Sequence, residues 1–197
     1  MLFLFLFAIY FSVLDLVEKQ PSKGLYQRAA YLYDGRGCEK NTTLAIELME
    51  RVVEEAIPET QTELIENALL NLGRAYWECF PHNAKKAEDY WLRAARNGEG
   101  LVDAMTELGE FYAHPENNNL NESFYWHQNA AGKGSVQSQT VIGIMYMNGQ
   151  GIEKSIEKAL KCLKEAAANG GISARANLAE LYYKRKLFTE AFNHAKK

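Results

Sequence analysis

Slid against itself by 36 positions, much of this chain falls back into phase. Ala94-Ala95 with Gly98, Ala130-Ala131 with Gly134 and Ala166-Ala167 with Gly170 coincide, and Lys86-Ala87, Glu122-Ser123 and Lys158-Ala159 stand ahead of them. Between these lie Tyr90-Trp91, Trp126-His127 and Cys162-Leu163. An earlier signature runs Leu72-Gly73 with Tyr76, Leu108-Gly109 with Tyr112, Ile142-Gly143 with Tyr146 and Leu178-Ala179 with Tyr182, its Gly/Ala positions 36, 34 and 36 apart. A period of this length belongs to stacked arrays, because so short a unit buries its apolar face only against its neighbours.

Each unit reads as two short helices. In the first, Ala68, Ala104, Ser138 and Ala174 stand four residues before the apolar-Gly/Ala pair and four more lead to Tyr, one helical stripe. A glycine inside a helix costs about 1 kcal/mol relative to alanine, so close helix approach at Gly73, Gly109 and Gly143 is expected to compensate. The second helix ends at Asn97-Gly98, Lys133-Gly134 and Asn169-Gly170, where glycine supplies the left-handed cap. Asp34-Gly35-Arg36-Gly37 and Asn148-Gly149-Gln150-Gly151 read as the turns between helices. The expected organisation is an apolar segment and lead helix over 1–23, then units over 24–54, 66–99, 102–135, 136–171 and an incomplete 172–197. Glu55 to Leu64, holding Pro58, reads as an extended connection.

The pattern A-x3-LG-x2-Y, a Gly-x-Gly turn, K-A-x2-W and A-A-x2-G resembles the Sel-one-like repeats (SLR), relatives of the tetratricopeptide repeats, over roughly Gly24 to Lys197. The resemblance implies an all-α, right-handed α/α superhelix of stacked helix-turn-helix repeats. Strings outside the consensus, such as Asn71-Leu72-Gly73-Arg74-Ala75-Tyr76, Ser123-Phe124-Tyr125-Trp126-His127 and Tyr182-Tyr183-Lys184, are similar to the SLR adaptors that bind the cytoplasmic tail of the megalin endocytic receptor. That similarity implies a non-enzymatic, cytoplasmic adaptor with a megalin-type receptor tail as partner.

Met1 to Leu14 form an apolar run that is too short to span a bilayer, which takes roughly 20 residues, so no direct membrane insertion is expected. Its length fits a signal-peptide core, but no Lys or Arg precedes it and no small-x-small cleavage site follows before Lys19. A buried capping helix and a non-native start are the other readings. If the run does act as a signal, the alternative is an SLR protein of the endoplasmic reticulum lumen serving protein quality control, where the sequons at Asn41 and Asn121 would matter. Three cysteines without CxxC spacing point instead to a reducing compartment.

The remaining chemistry is sparse. Catalysis needs a convergent nucleophile, base and orienting group, or a metal. His82, His114, His127 and His194 are scattered and no cysteine has zinc-ligand spacing, so neither enzyme, cofactor nor metal is expected. His127 shares its repeat column with Trp91 and Leu163 and reads as a packed histidine. The Gly-x-Gly turns follow helices, unlike phosphate loops, which follow strands. Helix-pair arrays also read RNA, but 22 Lys+Arg against 25 Asp+Glu gives a net charge of −3, which lacks the attraction phosphate binding needs and leaves room only for a small basic patch. A protein or peptide partner is the expected ligand class. First helices should line the inner face of such an array, and positions off their packing stripe nominate a groove of Tyr33, Arg74, Trp77, Glu110, Ile144, Met147, Glu180 and Tyr183. Aromatic and Arg side chains are the usual anchors. Packing of Trp77 and Tyr183 between repeats is the competing role.

Overall fold

The computed structural model describes residues 20–79, 83–97 and 100–196. The readings of Met1 to Leu14, of the Phe80-Pro81-His82 turn and of the Gly98 cap lie outside the described residues. Those described form helices and connections with no strand, in two compact units divided after Leu101. The first holds α1 (Pro21–Asp34), α2 (Thr42–Glu55), α3 (Pro58–Glu78) and α4 (Ala84–Arg96). The second holds α5 (Val102–Ala113), α6 (Leu120–Gly132), α7 (Val136–Asn148), α8 (Ile156–Ala168), α9 (Ile172–Lys184) and α10 (Phe188–Ala195). Neighbours in sequence pair as hairpins, and within each unit successive hairpins stack: α2 on α3, α6 on α7, α8 on α9. The all-α solenoid class expected from the period is what the chain adopts.

In four of the five hairpins one residue both opens the second helix and ties it to the first. Asn41, Asn83, Asn119 and Ser155 accept, through their side chains, the backbone N–H three residues on, at 3.0, 3.0, 3.3 and 3.3 Å. Their own N–H groups donate backwards to the carbonyls of Leu32, Tyr76, Tyr112 and Tyr146 at 2.7 to 2.9 Å. Such a cap contributes about 1 kcal/mol, and here it also sets where the chain reverses. Gly149 and Gly151 take φ of +77° and +67° in the turn ahead of Ser155. A β-carbon on Gly151 would also collide with the Leu120 carbonyl at the start of α6.

The glycines inside α3, α5 and α7 are notches. A β-carbon would stand 2.5 Å from Trp91 Cδ1 at Gly73, 2.6 Å from His127 Cδ2 at Gly109 and 2.6 Å from Leu163 Cγ at Gly143. What fills each notch is the second helix's side chain, not its backbone. Trp91, His127 and Leu163 are accordingly at most 1% exposed, and the Trp91 indole N–H donates to the Leu70 carbonyl at 3.3 Å. The small residues one turn earlier, Ala68, Ala104, Ser138 and Ala174, are fully buried. Around them sit Leu25, Met49, Val52 and Leu72 in the first unit, and Leu163, Leu178 and Leu181 in the second.

The extended connection expected over Glu55 to Leu64 is instead mostly helix. Only Ala56 and Ile57 separate α2 from α3. Pro58 occupies the first turn, where a missing N–H costs nothing. Gln61 leaves helical geometry (φ −127°, ψ 27°) while its side chain accepts the Ile57 N–H at 3.0 Å, and the Thr62 hydroxyl donates to the Pro58 carbonyl at 2.6 Å. The longer spacing between the first two units is therefore taken up by an added, kinked turn of helix.

His127 is packed as expected, with Nδ1 3.1 Å from Ser138 Oγ. Burial lowers its pKa from 6.5 to about 4. The unfolded chain thus binds more protons than the folded one between those values, and stability rises with pH through that window. The contribution is fully present above pH 6.5 and is lost as pH falls through 4. At ~1.4 kcal/mol per pKa unit it reaches at most about 3 kcal/mol. His127→Leu, copying Leu163 in the same column, is expected to flatten the fall in melting temperature between neutral pH and pH 5; a fall as steep as in the parent would exclude His127 as its source. The notches make a second prediction. Gly73→Ala, Gly109→Ala and Gly143→Ala should each cost about 1 to 3 kcal/mol by overpacking in denaturant melts. Gly132→Ala, where an added methyl meets nothing within 4 Å, should be neutral or stabilising by up to about 1 kcal/mol.

Candidate protein-binding surface

In the first unit, one face of α1 and α3 is laced by first-helix to first-helix hydrogen bonds. Tyr33 Oη donates to Glu78 Oε2 at 2.6 Å, and Asn71 Nδ2 donates to Tyr26 Oη at 2.8 Å. These bonds put Tyr33 beside the end of α3 that carries Trp77. Burial, then the bond to the Glu78 carboxylate, pushes the Tyr33 phenol well above its ordinary pKa, so it stays a neutral donor. Burial likewise raises Tyr26, with the Asn71 bond and the Arg74 charge pulling the other way. The Lys40 ammonium lies 5.3 Å over the Tyr33 ring. Arg74 and Trp77 are half-buried, and Trp77 tilts against Trp91 with ring centroids 6.5 Å apart. Trp77 therefore packs within its own hairpin while part of its surface stays open. Beside this face a recess of about 570 Å³ is lined by Lys40, Asn41, Thr43, Ile46, Tyr76 and Cys79.

Behind it, Glu50 on α2 accepts from Tyr76 and Tyr90, each at 2.9 Å, and the two rings stack at 5.6 Å. Lys86 donates to Tyr76 Oη at 2.9 Å and sits 4.5 Å over its ring. Lys158 repeats the second contact on Tyr146 at 5.3 Å. The Lys of the K-A pattern is thus the lid of the repeat's tyrosine, through a cation–π contact.

In the second unit, Glu110 is exposed and accepts from Gln137 Nε2, again a first-helix to first-helix bond. Ile144 is half-buried against the core. Met147, expected on the open face, is 8% exposed and packs with Leu163, Leu178 and Leu181. Its unbranched side chain folds under the next hairpin, so it is a core residue whose edge alone reaches the surface. Glu180 is exposed and pairs with Lys184 one turn on. Tyr183 is 65% exposed, with Phe188 (59%) edge-on to its ring at 5.6 Å and Phe192 (64%) nearby along a shallow apolar recess.

Each unit carries its own part of the nominated set: Tyr33, Arg74 and Trp77 in the first, the other five in the second. Tyr26, Asn71, Glu78 and Gln137 were missed. Tyr26 lies seven residues before Tyr33 and Asn71 three before Arg74, so extending the ladder back by whole helical turns would have found them. Such a face offers aromatic surface, guanidinium and amide donors, and carboxylate acceptors, the chemistry of peptide recognition. Among the described residues no group of three or more His, Cys, Asp or Glu could hold a metal ion, and no helix is long and apolar enough to cross a membrane. His114 and His194 do not join His127 in any cluster, and Cys38, Cys79 and Cys162 are free thiols.

Compared with known proteins, the chain is 31% identical over 83 residues to mouse DAP3-binding cell death enhancer 1 and 29% identical over 83 residues to the rat protein. Each match spans 42% of this chain and 16% of the relative's length. In solved structures, the Sel1 repeat protein from Oxalobacter formigenes shares the fold at a TM-score of 0.71 and 23% identity, over 93% of this chain and 73% of that one. A protective antigen of uropathogenic Escherichia coli displaying an SLR fold follows at 0.56 and 20%, over 83% and 41%. Stacked helical hairpins, notched first helices and matches of the Sel1 repeat to residues 22–52, 67–99, 102–135 and 136–171 together place this chain in the Sel1 repeat family.

Proposed function

We propose that this chain is a non-enzymatic adaptor of the cytoplasm that holds the cytoplasmic tail of a megalin-type endocytic receptor. Sel1 repeats generally mediate protein–protein interaction, and the family is generally one of scaffolds. The observation that carries the reading is the face of α1 and α3, where Arg74 and Trp77 stay half-exposed on a frame braced by the Tyr33–Glu78 bond. A braced aromatic and guanidinium pair is the composition of binding hot spots. The receptor itself is inferred from strings outside the repeat consensus, Asn71 to Tyr76 among them, which are similar to the megalin-binding adaptors. Three free thiols agree with a reducing compartment.

The test is a titration of a labelled receptor-tail peptide against the full chain and the Arg74→Ala/Trp77→Ala double variant. Each lost anchor should cost at least about 1 to 2 kcal/mol of binding, so the double variant should bind at least tenfold more weakly while melting as the parent does. Unchanged affinity in a folded double variant would overturn the groove. DAP3, the partner in the mouse relative's name, serves as the second bait, and preference for it over the tail would overturn the receptor assignment. Glycans at Asn41 or Asn121 on protein made in animal cells would move the chain to the secretory lumen.

A further inference from the structure

The charges of the second unit are sorted along the chain. From Val102 to Glu153 one Lys or Arg stands against six Asp and Glu; from Lys154 to Lys197 ten stand against four. The modest net charge of the whole chain hides this reversal. Three of those ten cations line a recess of about 380 Å³ between the turn after α7 and the end of α9, together with Met147, Asn148, Ile156 and Leu181. The floor is apolar and built: Met147 and Leu181 are 8% and 3% exposed, members of the core that seals α7, α8 and α9 together. The rim is cationic, with Lys154, Lys184 and Arg185 all exposed. The Lys154 Cβ lies 3.2 Å from where a β-carbon on Gly149 would stand, so residue 154 packs closely against the left-handed turn. Lys184 shares its charge with Glu180, so Lys154 and Arg185 supply most of the rim's field.

The same corner receives the carbonyl ends of α7 and α9, the negative poles of their dipoles. An anion sunk to the floor would meet those carbonyls. Carboxylates placed on the rim meet the ammonium and guanidinium groups instead, and the floor is left for an apolar side chain. A volume near 380 Å³ lies at the small end of ligand pockets, about 300 Å³ upward, which suits one side chain with its flanking backbone.

We propose that this recess is a docking site for an acidic peptide that rests one apolar side chain on the floor of Met147 and Leu181 while its flanking carboxylates engage Lys154 and Arg185. The proposal rests on the reading of the chain as a protein-binding module and names a class of partner for its second unit. It is separate from the Arg74 and Trp77 face.

Fluorescence anisotropy on the full chain tests it, with a short labelled peptide carrying one leucine between runs of glutamate. The expected result is saturable binding that weakens with added salt, falls at least about tenfold in Lys154→Glu/Arg185→Glu, and falls at least about fivefold when the peptide's leucine becomes serine. Both substituted side chains are exposed, and an unchanged thermal melt confirms the fold. Arg74→Ala/Trp77→Ala should bind this peptide as the parent does, which separates the two surfaces: a parent chain that binds the acidic peptide but not the receptor tail refutes the adaptor assignment alone, and one that binds the tail but not the acidic peptide refutes this proposal alone. The proposal is overturned if the parent shows no saturable binding, if charge reversal leaves affinity unchanged, if the serine peptide binds equally well, or if an oligouridine binds as tightly and displaces the peptide.

Discussion

The contact on which the rest of the structure depends is a side chain seated in a glycine notch. In each of three consecutive hairpins the first helix omits a β-carbon, and the second helix delivers a buried side chain into the space: Trp91 at Gly73, His127 at Gly109, Leu163 at Gly143. The occupants share neither shape nor polarity. The notch is constant and its filler is not, so the shared requirement is the distance between helices, and the occupant adjusts locally. Trp91 finds the Leu70 carbonyl for its indole N–H, and His127 finds the Ser138 hydroxyl. Among the described residues the buried indole nitrogen of Trp126, one residue earlier than His127, and the hydroxyl of Ser123 one turn before it have no hydrogen-bond partner. Apolar packing outweighs these two polar losses in α6, each of which costs about 1 to 3 kcal/mol.

Fixing the hairpin spacing fixes what first helices present. Once α1 and α3 are held by their second helices, their outward faces stand at hydrogen-bonding distance, and Tyr33–Glu78 and Tyr26–Asn71 close across the gap. Gln137–Glu110 does the same between α7 and α5. These bonds order the surface in the absence of any partner. Side chains already held in place lose less freedom on binding, and so more of their contact energy appears as affinity.

The glycine and alanine rhythm was legible in the amino-acid sequence because the notch column takes only the smallest residues, and a fixed spacing repeats it. The left-handed turns at Gly149 and Gly151 were legible for the same reason: a conformation that L-residues resist leaves a compositional trace. Other features leave no such trace. Pro58 reads equally as a breaker and as a first-turn residue, and only the side-chain bonds of Gln61 and Thr62 decide for the helix. Met147 and Tyr183 occupy the same column, yet one is buried and the other 65% exposed. Met147 is buried by its packing with Leu163, Leu178 and Leu181, which is a property of the stack and not of the residue. Burial along a repeat column therefore has to be read from neighbours, and a groove inferred from columns alone mixes core with surface.

The two proposed binding surfaces fall on different units, and the repeat architecture accounts for their difference in character. The inward stripe recurs because hairpins that stack within a unit need the same spacing, and the remaining positions are left free to differ. The first unit uses that freedom for aromatic rings tied by neutral and charged hydrogen bonds, with Glu50 shared between Tyr76 and Tyr90 and with Tyr33 kept protonated beside Glu78. The second uses it for charge, acidic up to Glu153 and basic after it. A surface dominated by rings selects more by shape, whereas one of lysines and arginines selects by charge and is screened within about 10 Å at ordinary ionic strength. Two such surfaces on one chain can engage two features of a single partner, or two partners, with no competition between their chemistries, because neither depends on a residue the other uses.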